Sequence, residues 1–168
     1  MATKSILVVF LKASKNTMTE ITPQKSKKRK RLLLVEDNPG DIRLTQEAIK
    51  ECRIEIEMDV ISDGDKVMSF LNNEGEYLNA ERPDIIMLDL NLPKRNGIEI
   101  LKEIKSSPKL KRIPVIAVTT SEADHDIFKA YDTYANAYIL KPVDFDDFTR
   151  VIQQIDAFWF RTVKLSLE

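Results

Sequence analysis

The chain has 168 residues, 43% hydrophobic and 32% charged, a size and balance that suit one domain with a real core. Its single cysteine, Cys52, excludes an intramolecular disulfide and a cysteine metal cluster. No apolar run approaches the ~20 residues of a membrane span. The apolar stretch 6–11, closed by Lys12, is too short for a signal-peptide core, so a cytoplasmic location is expected. The net charge of -1 hides an asymmetry: residues 1–31 hold nine Lys and Arg against one acid, residues 32–168 seventeen against 26. The globular part is therefore acidic, which disfavours nucleic-acid binding by its surface.

Residues 1–30 are expected to form a flexible basic leader, with no lasting helical or strand period. The basic run 25–31 reads as a solvated flank, and Met18 is an alternative start. From Arg31 the pattern alternates. A strand is expected at 31–36 and a helix at 39–52, with Pro39 in its first turn. Residues 54–61 alternate Ile54, Ile56, Met58 and Val60, the signature of a half-buried edge strand. A helix over 63–71 follows, then a polar loop through Pro83 and a buried strand at 84–89. A turn containing Pro93, Asn96 and Gly97 leads into a helix at 98–105, and a buried strand follows at 113–119. Ser121 is placed as the cap of a helix that lines up Ile127, Ala130, Tyr131 and Tyr134. A short strand at 137–140 precedes a last helix, capped by Asp144 and running to about Phe160.

Five strand–helix units with continuous apolar strands argue an α/β protein with a parallel sheet covered on both faces. Such an open sheet places its functional crevice at the C-terminal ends of the strands. Glu36, Asp37, Asp89, Thr119 and Lys141 all fall there, at the ends of four strands. Each has an ordinary reading alone: Asp37 as a helix cap, Lys141 as a turn residue before Pro142, Thr119 as a strand former. Their convergence is what points to a site. Three close carboxylates raise one another's pKa, and a hard divalent cation relieves them. Mg²⁺ is the expected cofactor. Asp37, Asp89 and the backbone carbonyl of Asn91 are the expected direct ligands, with Glu36 acting through water. Asp89 is also placed to attack phosphorus as a carboxylate nucleophile, with Lys141 and Thr119 each taking a phosphoryl oxygen.

The segments LLLVEDNPGD, IIMLDLNLPKRNG, PVIAVTTS and AYILKP resemble the motif regions of bacterial response-regulator receiver domains, over about residues 31–158. The spacing from Asp37 to Asp89 and from Asp89 to Lys141 is 52 residues each, ordinary for that family. The resemblance implies a flavodoxin-like (βα)5 sandwich with strand order 2-1-3-4-5. It implies that Asp89 is the phospho-acceptor, Glu36 and Asp37 the acid pair for Mg²⁺, Thr119 the switch hydroxyl, Tyr138 the switch aromatic and Lys141 the phosphate-binding lysine. It also implies a histidine kinase as phosphoryl donor, a cis Lys141–Pro142 bond, and a population shift of the fourth helix, fifth strand and fifth helix on phosphorylation. Tyr134 stands where the family usually has glycine.

The receiver domain is expected over 31–160, with a C-terminal tail at 161–168. On the last helix Phe148, Val151, Ile152, Ile155 and Trp159 share one stripe, while Phe158 and Phe160 fall outside it. Phe158, Trp159 and Phe160 are therefore the expected homodimer surface. The stretch FWFRTVKL resembles the end of the small stand-alone regulators that serve cyanobacterial phytochromes, which implies a light-sensing kinase partner. Eight residues follow Phe160, and no output domain is expected. The expected activity is phosphoryl acceptance and self-dephosphorylation rather than turnover of a separate substrate. The competing readings are a phosphotransfer intermediate for a non-photoreceptor kinase, an aspartate-nucleophile phosphatase and a flavin module. Asn91 occupies the position where such phosphatases carry a second acid, and Glu36–Asp37 would repel a flavin phosphate.

Overall fold

The computed structural model describes residues 29–165. The leader up to residue 28, the alternative start at Met18 and tail residues 166–168 lie outside the described residues. The elements run β1 (Lys30–Val35), α1 (Pro39–Glu51), β2 (Ile56–Ile61), α2 (Val67–Leu71), β3 (Ile85–Leu88), α3 (Gly97–Ser106), β4 (Val115–Thr119), α4 (Asp124–Asp132), β5 (Ala137–Leu140) and α5 (Phe145–Ile155). The chain then winds on as a π-helix over Asp156–Thr162.

All strand pairs are parallel, in the order β2-β1-β3-β4-β5. Parallel neighbours need crossovers, and the intervening helices cover both faces of the sheet. The two-residue period of the strands divides the core accordingly. Leu33, Val35, Ile86, Leu88, Val115 and Ala117 face α2, α3 and α4. Leu32, Leu34, Ile85, Met87, Ile116 and Val118 face α1 and α5. Each such Leu or Ile side chain, removed from water, contributes about 1.5–3 kcal/mol. The continuous apolar runs of β1, β3 and β4 thus exist because both of their faces are buried. The edge strand β2 is only half-buried, as its alternation implies.

The termini of the helices are set by local chemistry. Asn38, not Asp37, caps α1: its side chain accepts from the N–H groups of Gly40 and Asp41, with Pro39 in the first turn. Asn96 caps α3, and Asp144 caps α5 as expected. The helix expected over 63–71 is a 3₁₀ turn, Gly64–Lys66, followed by the five-residue α2.

Four further expectations are corrected. Ser121 does not cap α4; its Oγ donates to Asp126 Oδ2 at 2.6 Å, and the helix begins after Ala123. Of the helical row expected on that element, only Ala130 is fully buried, while Tyr131 and Tyr134 face solvent. Every peptide bond among the described residues is trans, Lys141–Pro142 included. The two isomers of an X–Pro bond lie within about 1 kcal/mol, so the surroundings decide between them. Finally, Trp159 and Phe160 are not wholly surface residues. Both pack against the α1/α5 side of the core, and Phe158 remains 54% exposed. The wider π-helical winding after Ile155 moves Phe160 off the 100° period assumed from the sequence, while Trp159 packs where its place on the apolar stripe put it.

Candidate functional site

Backbone hydrogen bonds bring the C-terminal ends of the strands to one edge. The Asp89 N–H donates to the Val35 carbonyl at 2.9 Å, and the Lys141 N–H to the Thr119 carbonyl at 2.8 Å. On the other side of β1, the Glu36 N–H reaches the Ile61 carbonyl at 3.1 Å. Side chains at positions 36, 89 and 141 therefore emerge into one crevice, with Thr119 buried beside it at the end of β4. Gly97 lets α3 start tight against this edge: a Cβ there would lie 2.6 Å from the Leu90 Cα and press on the Asp89 carbonyl oxygen. Only a residue without a side chain permits that approach.

Lys141 lies at the centre. Its Nζ donates to Glu36 Oε2 at 2.6 Å, Asp89 Oδ2 at 2.6 Å and Asp41 Oδ2 at 2.9 Å. The other oxygens of two of these acids hold backbone. Glu36 Oε1 accepts from the Asn38 N–H at 3.1 Å, and Asp89 Oδ1 from the Asn91 N–H at 2.8 Å. Both carboxylates are thus fixed in direction. Burial pushes the Glu36 carboxyl above its ordinary range, and the Lys141 ammonium and the Asn38 N–H draw it part of the way back. For Lys141, burial disfavours the charged form, but the hydrogen bonds to Asp41, Asp89 and Glu36 outweigh it and hold the pKa above its ordinary value.

Glu36, Asp37 and Asp89 each bring one carboxylate oxygen within 4.8 Å of the others. Three hard oxygen donors around one point, facing a crevice, suit a divalent cation of the Mg²⁺ or Mn²⁺ type. Beneath them a cavity of about 30 Å³ is lined by Glu36, Asp41, Asp89, Lys141 and Phe148. It has room for one or two waters but not for a ring-sized ligand.

On the β4 side Thr119 is fully buried. Its Oγ1 accepts from Asn91 Nδ2 at 2.9 Å and from the Ser121 N–H at 3.3 Å. The Tyr138 hydroxyl donates to the Ser121 carbonyl at 2.9 Å, and burial holds that phenol above its ordinary pKa. A chain of contacts therefore runs from the loop after Asp89, through Asn91 and Thr119, to Ser121 and Tyr138. All the residues singled out at strand ends by the sequence are brought to this edge. Phe158, Trp159 and Phe160 lie elsewhere, on the π-helix that follows α5. Sequence reasoning missed Asp41, the side-chain role of Asn91 and the participation of Ser121. Asp41 carried a usable signal: it stands four residues after Asp37, on the first turn of a helix that starts at the strand end.

A parallel 2-1-3-4-5 sheet with an acid cluster and a lysine at its C-terminal edge defines the receiver class. The chain belongs to the response regulator receiver domain family, whose model matches residues 32–153. It is 46% identical over 134 residues to the response regulator Rcp1 of Synechocystis sp., covering 80% of this chain and 91% of that protein. The phosphorylated cyanobacterial phytochrome response regulator RcpA superposes with a TM-score of 0.78 at 47% identity, covering 82% of this chain and 98% of that one. The Mn²⁺-bound form of Rcp1 gives 0.76 at 45% identity, with 82% and 99% covered. Among the described residues no helix is long and apolar enough to cross a membrane.

Proposed function

We propose that this chain is the cytoplasmic response regulator of a phytochrome-type sensor histidine kinase, and that Asp89 receives the phosphoryl group. The observation that carries this reading is the arrangement of Asp89 itself. One oxygen is fixed by the Asn91 N–H and the other by the Lys141 ammonium at 2.6 Å, beside Glu36 and Asp37. In the transfer, an Asp89 carboxylate oxygen forms a bond to phosphorus. The bond from phosphorus to the donor's imidazole nitrogen breaks, and its electron pair leaves with the imidazole. Lys141 neutralises charge on the transferred group, and Thr119 hydrogen-bonds to a second phosphoryl oxygen. Asp37, Asp89 and the Asn91 carbonyl, with Glu36 through water, would hold Mg²⁺, which would supply the remaining charge neutralisation.

The readout follows from the Thr119–Ser121–Tyr138 contacts. Drawing Thr119 toward the phosphoryl group competes with the Asn91 bond, shifts the Ser121 carbonyl and releases Tyr138 to move inward. The face formed by α4, β5 and α5 changes with it. The chemistry is confined to Asp89 of the chain itself, and signalling proceeds by protein–protein contact. The light-sensing partner is supported by the likeness to Rcp1 and RcpA and by 27% identity, at a TM-score of 0.79, to a regulator in red-light signalling of R. palustris. We further propose a homodimer that uses the end of α5, where Phe158 stands exposed beside Trp159 with ring centroids 5.2 Å apart. The receiver domain over 31–160 then works without nucleic acid.

Phosphotransfer profiling tests the partner. Autophosphorylated phytochrome-type kinase should lose its label to this chain faster than other histidine kinases do. Equal rates for all kinases would overturn the assignment.

A further inference from the structure

The end of the sheet opposite the crevice carries charge of the other sign. The six residues of β1 span about 20 Å, and at their start Lys30 lies in register with Ile56 of β2. Here Arg29, Lys30, Arg53 and Arg161 line one groove of about 490 Å³. They come from the chain before β1, from β1 itself, from the turn after α1 and from the π-helix. Two acids share the groove, Glu55 and Asp156, and Asp156 is already taken by Arg161. Arg29 reaches Glu57 at 3.3 Å but is 77% exposed, so that pair holds it weakly. Lys30 and Arg53 show no ion pair among the described contacts. Arg53 stands at φ 51°, just past the C-cap of α1, in a conformation that favours glycine. Its side chain is exposed, so burial does not offset that strain.

Residues 32–168 hold seventeen Lys and Arg against 26 acids, yet two of those cations, Arg53 and Arg161, meet where the basic run 25–31 enters the fold. A solvated flank accounts for the run but not for this convergence. We propose that the basic pole docks on an anionic lipid surface, with phosphate headgroups seated between Lys30, Arg53 and Arg161. A flat bilayer touches only the pole. The acids of the crevice, about 20 Å off, lie beyond two Debye lengths of about 8 Å and do not oppose the contact. A nucleic acid following the groove would instead meet Glu57, Asp59 and Glu81 on the β2 flank, which gather around Arg31. The leader also sets the apolar stretch 6–11 ahead of its basic run, a pairing that attachment to a bilayer uses and nucleic-acid binding does not. Docked in this way, the chain turns its crevice away from the membrane. The site does not depend on Asp89 being the phosphoryl acceptor.

Cosedimentation of the full chain with vesicles of equal parts phosphatidylglycerol and phosphatidylcholine tests this. Wild type should bind at about 0.1 M salt and detach at about 1 M, where screening shortens the Debye length to about 3 Å. It should stay in solution with pure phosphatidylcholine. Lys30→Gln and Arg53→Gly should each weaken binding about fivefold, the scale of one cation at an anionic membrane surface. Arg53→Gly also relieves the left-handed strain, so its urea midpoint should equal or exceed that of wild type, which separates lost binding from lost fold. Wild type that ignores the anionic vesicles would overturn the proposal, as would equal binding to pure phosphatidylcholine. Full binding by the Lys30→Gln/Arg53→Gly double variant would assign the contact to the leader alone and overturn the groove. Duplex DNA bound as tightly as the vesicles, with the same losses in the variants, would make the partner a nucleic acid and overturn the lipid surface.

Discussion

Lys141 Nζ and Asp89 Oδ2 lie 2.6 Å apart, joined across β3, β4 and β5 from strands that leave the sheet 52 residues apart in sequence. The pair is nearly dry, with side chains 11% and 8% exposed. At such depth a lone charge is costly, so the two are interdependent.

Lys141→Met should therefore expose the repulsion that the lysine suppresses among Glu36, Asp41 and Asp89. Without divalent cation the variant should lose roughly 3 kcal/mol of stability. Mg²⁺ should raise its urea midpoint more than it raises that of wild type. Equal Mg²⁺ responses in the two proteins would contradict the electrostatic account.

Lys105 predicts an alkaline gain in stability. Its ammonium reaches the Ile113 carbonyl and Asn136 Oδ1, both at 2.8 Å, and burial pulls its pKa from the ordinary 10.5 down to about 8. Below pH 8 the lysine is charged whether folded or not, and the burial penalty is carried in full. Between about pH 8 and 10.5 the folded chain gives up the proton while the unfolded chain keeps it. The unfolded state then binds more protons, so stability rises with pH in that window. Urea midpoints of wild type measured against Lys105→Met from pH 7.5 to 10 should move in favour of wild type. A flat or falling difference would contradict the burial of this charge.

Tyr134 sits at φ 65°, in the left-handed region, and the residue is 76% exposed. A side chain there is disfavoured by about 1–2 kcal/mol, and a glycine recovers this less its own entropy cost. Tyr134→Gly should raise the thermal midpoint, by the equivalent of about 0.5–1 kcal/mol. A lowered midpoint would show that the exposed ring is held by contacts that outweigh the strain.

Phe158→Ser tests the proposed self-association. Phe158 is the most exposed of the three aromatics, so its replacement leaves the core intact, unlike that of Phe160, which packs against it. Sedimentation equilibrium should show a weaker dimer with an unchanged urea midpoint. An unchanged association constant would place the interface elsewhere.

The sheet and the strand-end residues were legible because a few local rules determine them. Apolar runs such as Leu32–Leu33–Leu34–Val35 mark strands buried on both faces, and parallel topology sends their C-terminal ends to one edge. Three things were not legible for physical reasons. The bond from Lys141 to Asp41 joins residues 100 positions apart: the first turn of α1 sets Asp41 near the strand end, but nothing in that pattern names Lys141 as its partner. The side chain of Asn91 turns to the Thr119 hydroxyl, a choice of rotamer that spacing does not encode. The end of α5 departs from the α-helical period at Asp156, where Asp156 pairs with Arg161 five residues on. A fixed 100° step cannot anticipate that change of winding, so Phe160, set off the apolar stripe by sequence, packs against the core, while Trp159 lies against the core on the stripe where that step put it.

On the proposed reading, Asp89 takes the phosphoryl group with help from a divalent cation. Intact-mass spectrometry after incubation with acetyl phosphate tests it most directly. Wild type with Mg²⁺ should gain one phosphoryl group, and should gain almost none when the cation is chelated. Asp89→Asn should gain none under either condition. Equal labelling of wild type and Asp89→Asn would contradict the account.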